Sequence, residues 1–332
     1  MQLYRQALAI LSGDPLPAPN PAPSPRLTKC ILEHGLAPLW HARTGHPGLR
    51  DARHGVAARY LQQRSAMEEV GATLDAAGIA HAFFKGTAIR ELFWPDPAFR
   101  SADDIDLLVA PEDRDRVLRV LSGAGFDHRP TPAQTHETSL ARDGIEIDLH
   151  WGIHRPGHFR IPMQSGVVAR RTRVTGVWTA CPEDCFCLAL VITAFGDYAT
   201  ASTAGLHRMA DLLFMMERQP PDWNELRQSL TSHGARTGAW CTLRALSLVA
   251  PDRFGEMIAA GLHALRPGFV HRGYLGAWIA ADLPARLGRH HWVRQAAFSL
   301  AMHDSLGDAW RALRHKLAPP QNTSGDGRQD LS

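Results

Sequence analysis

Apolar and polar positions change period along the chain. From Arg26 to about Ala77 the apolar residues recur at helical spacing, with a break near Gly45–Gly48, and a helix over Ala57–Ala77 is predicted to end at Gly78. The texture then shortens. His81–Phe84 reads as a short strand, followed at once by Lys85-Gly86-Thr87 and a helical stretch to Phe93. Asp104–Ala110 reads as a strand, Pro111–Gly123 as a helix with proline in its first turn, and Gly125–Arg129 and Thr135–Arg142 as further strands. Ile145–Trp151 alternates strictly and is the clearest strand in the chain. After Val177 the strands are expected to stop. Helices are predicted over Pro182–Phe195, Leu206–Arg218, Trp223–His233 and Thr237–Val249, with more to about Leu317. The layout predicts an α+β fold: a small mixed sheet with helices, preceded by N-terminal helices and followed by a C-terminal helical half. The expected divisions are 1–79 (helices with a proline-rich linker at Gly13–Pro25), 80–178 (the sheet), 179–317 (helical) and 318–332, a polar tail expected to be disordered.

Composition narrows the partners. The 332 residues carry a net charge of +3, too sparse a basic footprint for duplex DNA as main partner, yet compatible with a local basic pocket. Five cysteines, no secretory signal and no apolar run approaching a membrane span predict a soluble protein of the reducing cytoplasm, with no membrane partner. Of 36 basic residues only Lys29, Lys85 and Lys316 are lysines. Such a bias suits a GC-rich genome, and a lysine that survives it marks a place where a guanidinium does not substitute for a compact ammonium.

Residues two apart on a strand share a face. Asp104 and Asp106 are thus expected side by side, with Ile105, Leu107 and Val109 on the opposite face. In the second strand Glu146, Asp148 and His150 form the polar face and Ile145, Ile147 and Leu149 the apolar one. Alone, a D-x-D pair more often describes charged residues on a solvated strand than a metal site. Two features argue against that here. Aspartate is a poor strand former, so two within one apolar strand need a reason. The second acidic strand also follows after enough chain to lie beside the first. Three carboxylates so placed suit Mg²⁺ or Mn²⁺, with two ions roughly 3.5–4 Å apart.

The step from strand through Lys85-Gly86-Thr87 into a helix suits an anion, because Gly86 lets backbone N–H groups approach a phosphate and the helix start adds positive partial charge. The same residues equally make a plain strand–helix turn with Thr87 near the cap, and the G-x-x-x-x-G-K spacing of a P-loop is absent. Arg100, four residues before Asp104, is placed to offset the carboxylates or to meet a triphosphate; its alternative is a surface arginine. Cys181, Cys185 and Cys187 lack zinc-ligand spacing and read as core residues. His150, His154 and His158 recur every fourth residue, but Gly152, Pro156 and Gly157 prevent a continuous helix, so only His150 is kept near the site.

Together, Phe84-Lys85-Gly86, Trp94-Pro95-Asp96-Pro97, Phe99-Arg100, Asp104-Ile105-Asp106-Leu107-Leu108-Val109 and Pro111-Glu112-Asp113 resemble an uncharacterised nucleotidyltransferase family of the polymerase-beta-like nucleotidyltransferase superfamily. Gly123-Ala124-Gly125-Phe126, Ile147-Asp148-Leu149-His150-Trp151, Pro182-Glu183-Asp184, Arg208 with Asp211-Leu212, and Asp222-Trp223 extend the resemblance over roughly Ala80 to Val249. It implies a nucleotidyltransferase-type sheet with two helices behind it, Mg²⁺, and ATP or another NTP as donor of NMP to a hydroxyl-type acceptor: a small molecule, peptide or protein. By resemblance Asp104 and Asp106 would hold both metals, and Asp148 would hold one and help activate the acceptor. Gly86 would face the triphosphate with Lys85 and Arg100 beside it, and Thr87 joins them as a nucleotide-side candidate. His150, Arg208 and Asp211 are candidates for the acceptor side; Arg208 and Asp211 equally read as a pair within the helical half, and the structural role is the favoured one. Most of the superfamily has Gly-Ser where this chain has Lys85-Gly86, which implies a different phosphate grip. Two alternatives stand beside transfer: a nucleotide-binding or regulatory module of the same fold, and a toxin–antitoxin component.

Overall fold

A computed structural model describes residues 2–12, 23–129, 136–198, 205–281 and 292–317. Most of the proline-rich linker, Thr135 and the C-terminal tail lie outside the described residues. The fold is α+β, built on a seven-stranded mixed sheet of order β3-β4-β5-β2-β1-β7-β6. The strands are β1 (His81–Phe83), β2 (Ile105–Val109), β3 (Asp127–Arg129), β4 (Glu137–Arg142), β5 (Ile145–His150), β6 (Thr172–Val174) and β7 (Val177–Thr179). β2 lies between β5, parallel to it, and β1, antiparallel to it. All five of its residues are buried, as expected of a central strand covered on both faces.

The two sides of the sheet belong to two cores. Ile105, Leu107 and Val109 of β2 and Ile145, Ile147 and Leu149 of β5 pack with Met67, Val70 and Leu74 of α4 (Arg50–Ala76) and Val117 and Leu121 of α6 (Arg114–Gly123). These are the two helices expected behind the sheet. The opposite side, with Phe84 and Leu108, joins a larger core. That core is shared by α1 (Gln2–Leu8), α2 (Pro25–Glu33), α3 (Ala37–Thr44), α5 (Lys85–Phe93) and α7 (Gln164–Ala169), and by the helical half: α8 (Pro182–Ile192), α9 (Leu206–Arg218), α10 (Trp223–His233) and α11 (Arg236–Leu246). The N-terminal helices therefore pack on the helical half. Trp40 donates its indole N–H to the Ala7 carbonyl at 2.9 Å, and Arg5 donates to that of Leu248 at 2.7 Å.

Local signals explain the boundaries. The Ser24 hydroxyl accepts from the Leu27 N–H and Pro25 opens α2. Asp222 accepts from Asn224 and Glu225 at the start of α10, and Gly234, at φ +72°, ends it. Two features differ from expectation. The first turn after Pro111 is 3₁₀, with the α-helix beginning at Arg114. The sheet also gains a hairpin that was not expected: β6 and β7 are joined through Thr175 (φ 47°) and Gly176 (φ 99°), β7 runs parallel to β1, and among the described residues no strand follows Thr179. Three-residue strands are too short to show a period, so the hairpin left only its Thr-Gly turn as a signal.

Candidate active site

Sheet register assembles the site. In the parallel β2–β5 pair Asp106 lies opposite Asp148 and Leu108 opposite His150, while in the antiparallel β4–β5 pair Ser139 lies opposite Asp148 and Glu137 opposite His150. Opposed residues share a face. One face therefore carries Asp106, Asp148, His150, Ser139 and Glu137. Asp104 sits one residue ahead of β2, at the mouth of the same side. Asp106 and His150 are buried, whereas Asp104 and Asp148 are half-buried. Ser139 donates its hydroxyl to Asp148 Oδ1 at 2.6 Å, which orients that carboxylate.

Lys85 enters from the turn after β1. The Phe84 N–H still pairs with the Asp106 carbonyl at 3.1 Å, and Lys85 then takes φ 53° to turn the chain into α5. Its ammonium donates to Asp106 Oδ1 at 2.6 Å and lies 3.2 Å from His150 Nε2. His150 Nε2 is itself 2.9 Å from Asp106 Oδ1, and its Nδ1 is 3.1 Å from Glu137 Oε2. A side chain at Gly86 has no room: its Cβ would lie 2.5 Å from Nη1 of Arg100. Arg100 is buried and grips Asp211 of α9, donating from Nη2 at 2.8 Å and from Nε at 3.3 Å. Asp211 also accepts from the Trp94 indole at 2.7 Å. Thr87 is buried, and its hydroxyl donates to the Phe84 carbonyl at 3.0 Å, closing the turn.

Between the sheet and α8–α9 lies a cleft of about 210 Å³. Lys85, Gly86, Arg100, Asp104 and Asp106 line it from the sheet side, and Arg208 and Asp211 face them from α9. Of the residues singled out in the sequence, the cleft thus gathers seven, and Asp148 and His150 stand directly behind Asp106. Thr87 points into the core beneath.

The electrostatics divide the carboxylates. Burial, then the neighbouring Asp106 and Asp148, push Asp104 up to about 7. Burial also opposes ionisation of Asp106, but the Lys85 ammonium and the His150 hydrogen bond outweigh it and hold Asp106 well below the usual carboxylate range. For Lys85, burial acts downward and Asp106 more than compensates, so the amine stays an ammonium.

Donor atoms of Asp106, Asp148 and His150 lie within 4.8 Å of one another, and so do those of His136, Glu137 and His150. Two carboxylates and an imidazole fit a divalent cation that accepts oxygen and nitrogen, with Asp104 adjacent. His136, His154 and His158 make a file of rings beside it. His136 and His154 stack at 5.7 Å, and His154 meets His158 at 4.0 Å. Burial, then His150 and Lys85, depress His136 to about 3, which keeps it neutral. Cys185 and Cys187 are buried on α8, and burial pushes Cys187 up to about 12, as befits core thiols.

A family model described as "Uncharacterised nucleotidyltransferase" matches residues 23–251, well over half of the chain. The chain belongs to that family. No curated protein matches the chain. Family membership supports nucleotidyl transfer as its general activity, with an NTP as substrate, and the matched span covers both the acidic strands and the helices that face them. Among the described residues no helix is long and apolar enough to cross a membrane.

Ser139, Glu137 and His136 did not stand out in the sequence. Glu137 and Ser139 alternate on β4 as Asp148 and His150 do on β5, but which strand faces which is fixed only by pairing.

Proposed function

We propose that this nucleotidyltransferase moves NMP from an NTP to a hydroxyl-bearing acceptor, with Asp104, Asp106 and Asp148 as the acidic centre. The observation that carries this reading is the Asp106–Asp148 register on adjacent parallel strands beside Asp104 in a cleft. In the transfer the acceptor oxygen forms a bond to the α-phosphorus, the α–β phosphoanhydride bond breaks, and pyrophosphate leaves. The acceptor proton passes to Asp148, whose other role is to hold the cation together with Asp104 and Asp106. Mg²⁺ or Mn²⁺, when bound, would neutralise charge on the phosphates and polarise the reacting oxygens. Gly86, Lys85 and Arg100 lie where the triphosphate would enter. Arg208 and Asp211, from the helical half, would shape the acceptor side for a small molecule, peptide or protein. A cytoplasmic address, where NTP is available, belongs to the same proposal.

The clamp of Lys85 on Asp106 favours one second reading, a module that binds nucleotide without turnover. Label position separates the two. Incubation with Mg²⁺, candidate acceptors and NTP labelled at the α- or γ-phosphate is expected to yield an adduct carrying only α-label. Asp104→Ala/Asp106→Ala should abolish it. Cation-dependent NTP binding with no adduct in any acceptor pool would support the module, and γ-label in the adduct would make the chain a phosphotransferase.

A further inference from the structure

We infer that the Lys85 ammonium stands in for one of the two divalent cations expected at this site, so that the chain holds a single divalent ion; the inference rests on the nucleotidyl-transfer reading. Lys85 Nζ, Asp106 Oδ1 and His150 Nε2 form a closed triangle, with sides of 2.6, 3.2 and 2.9 Å. Asp106 and His150 are two of the three residues whose donor atoms gather for a cation. An ion bridging those two atoms from the side that Lys85 occupies, at ordinary ligand distances of roughly 2.0–2.2 Å, would overlap the ammonium. The two cations cannot share the position.

The backbone is built to put the amine there. Phe84 is locked to β2 through its N–H, and Lys85 adopts a left-handed conformation that non-glycine residues rarely take and that is retained where surroundings enforce it. The next position favours glycine, because a Cβ there would meet the Arg100 guanidinium. His150 has no freedom to swing aside: it is fully buried, its ring meets Phe84 edge-on at 5.0 Å, and its far nitrogen lies against Glu137.

Charge and residue type agree. Asp106 is the carboxylate that Lys85 neutralises, so the amine supplies there charge that a second divalent ion would otherwise supply. Arg100 does not alter this balance, because Asp211 takes its guanidinium. A compact ammonium can mimic a metal ion between two ligand atoms, whereas a planar guanidinium cannot. That accounts for a lysine in a chain whose other basic residues are almost all arginine. Asp104, Asp148 and the second oxygen of Asp106 then remain for the single ion.

The test counts ions rather than turnover. Mn²⁺ is titrated into the metal-free full-length chain, alone and with saturating α,β-methylene-ATP, and bound Mn²⁺ is read by electron paramagnetic resonance. Wild type is expected to hold one Mn²⁺ per chain in both titrations, beyond that held by free nucleotide, with no spin coupling. Lys85→Met, near in shape and uncharged, is expected to hold two, with a coupled spectrum. Two coupled ions in wild type, or one ion in a folded Lys85→Met chain, overturns the inference. The wild-type count decides by itself should the variant fold poorly. Two ions together with α-label transfer would remove only the assignment of Lys85. Absence of any bound Mn²⁺, with and without nucleotide, would remove the nucleotidyl-transfer reading as well.

Discussion

Asp104 is a carboxylate whose ionisation the fold resists. Its carboxyl is pushed up to about 7 by burial and by Asp106 and Asp148. Between its unfolded value near 4 and 7, the folded state therefore binds more protons than the unfolded state, and stability falls as pH rises through that window. Asp104→Asn should flatten this slope and stabilise the metal-free chain at pH 8 by about 2 kcal/mol, measured by urea unfolding. The same substitution should abolish cation-linked stabilisation. If the variant instead matches wild type across pH 4–8, the carboxylate is not under the strain described. Gly86 makes a second residue-scale case. Alanine there meets the Arg100 guanidinium, so Gly86→Ala should destabilise by about 1–3 kcal/mol and loosen the Arg100–Asp211 pair. An unchanged urea midpoint would show that Arg100 moves aside freely. The sequence made these two positions visible for a different reason, as parts of a D-x-D strand and a turn suited to phosphate. That Gly86 is shaped by an arginine fourteen residues on could be seen only once the chain was folded.

At the scale of elements, long and strongly periodic segments were legible and short ones were not. Leu206–Arg218 and Trp223–His233 match their predicted bounds, because an amphipathic pattern runs the full helix and Asp222 and Gly234 punctuate the second. The β6–β7 hairpin was missed, since its strands are three residues each and its turn uses Thr-Gly instead of Asn-Gly. A β-branched residue at φ 47° is strained, and asparagine tolerates that region better. Thr175→Asn should raise stability by about 0.5 kcal/mol in thermal or urea unfolding; a loss would mean that the Thr175 hydroxyl contact with Glu91 matters more than the turn. The joint between sheet and helical half depends on Asp211, which holds both Arg100 and Trp94. Removing it leaves a buried guanidinium without its partner. Asp211→Ala should cost about 3 kcal/mol or more, with Asp211→Asn intermediate. A cost below 1 kcal/mol would show that Arg100 finds water instead.

For the whole molecule, a cleft brings the acidic strands against α8 and α9. The three aspartates could be read from the sequence because strand parity and residue type are local. The contributions of Glu137, Ser139 and His136 could not, because they depend on how β4 registers with β5. The direction of Lys85 was hidden too: sequence suggested a phosphate contact, and the fold aims the ammonium at Asp106 and His150. On the proposed reading these carboxylates hold a cation-bound triphosphate in the cleft. Calorimetric titration of α,β-methylene-ATP, and of the corresponding analogues of the other NTPs, into the chain tests it most directly. Saturable binding of at least one analogue with Mn²⁺ present, lost with chelator and lost in Asp106→Asn, is the predicted result. Binding that is unchanged by chelator or by Asp106→Asn, or no binding of any analogue, would contradict the account.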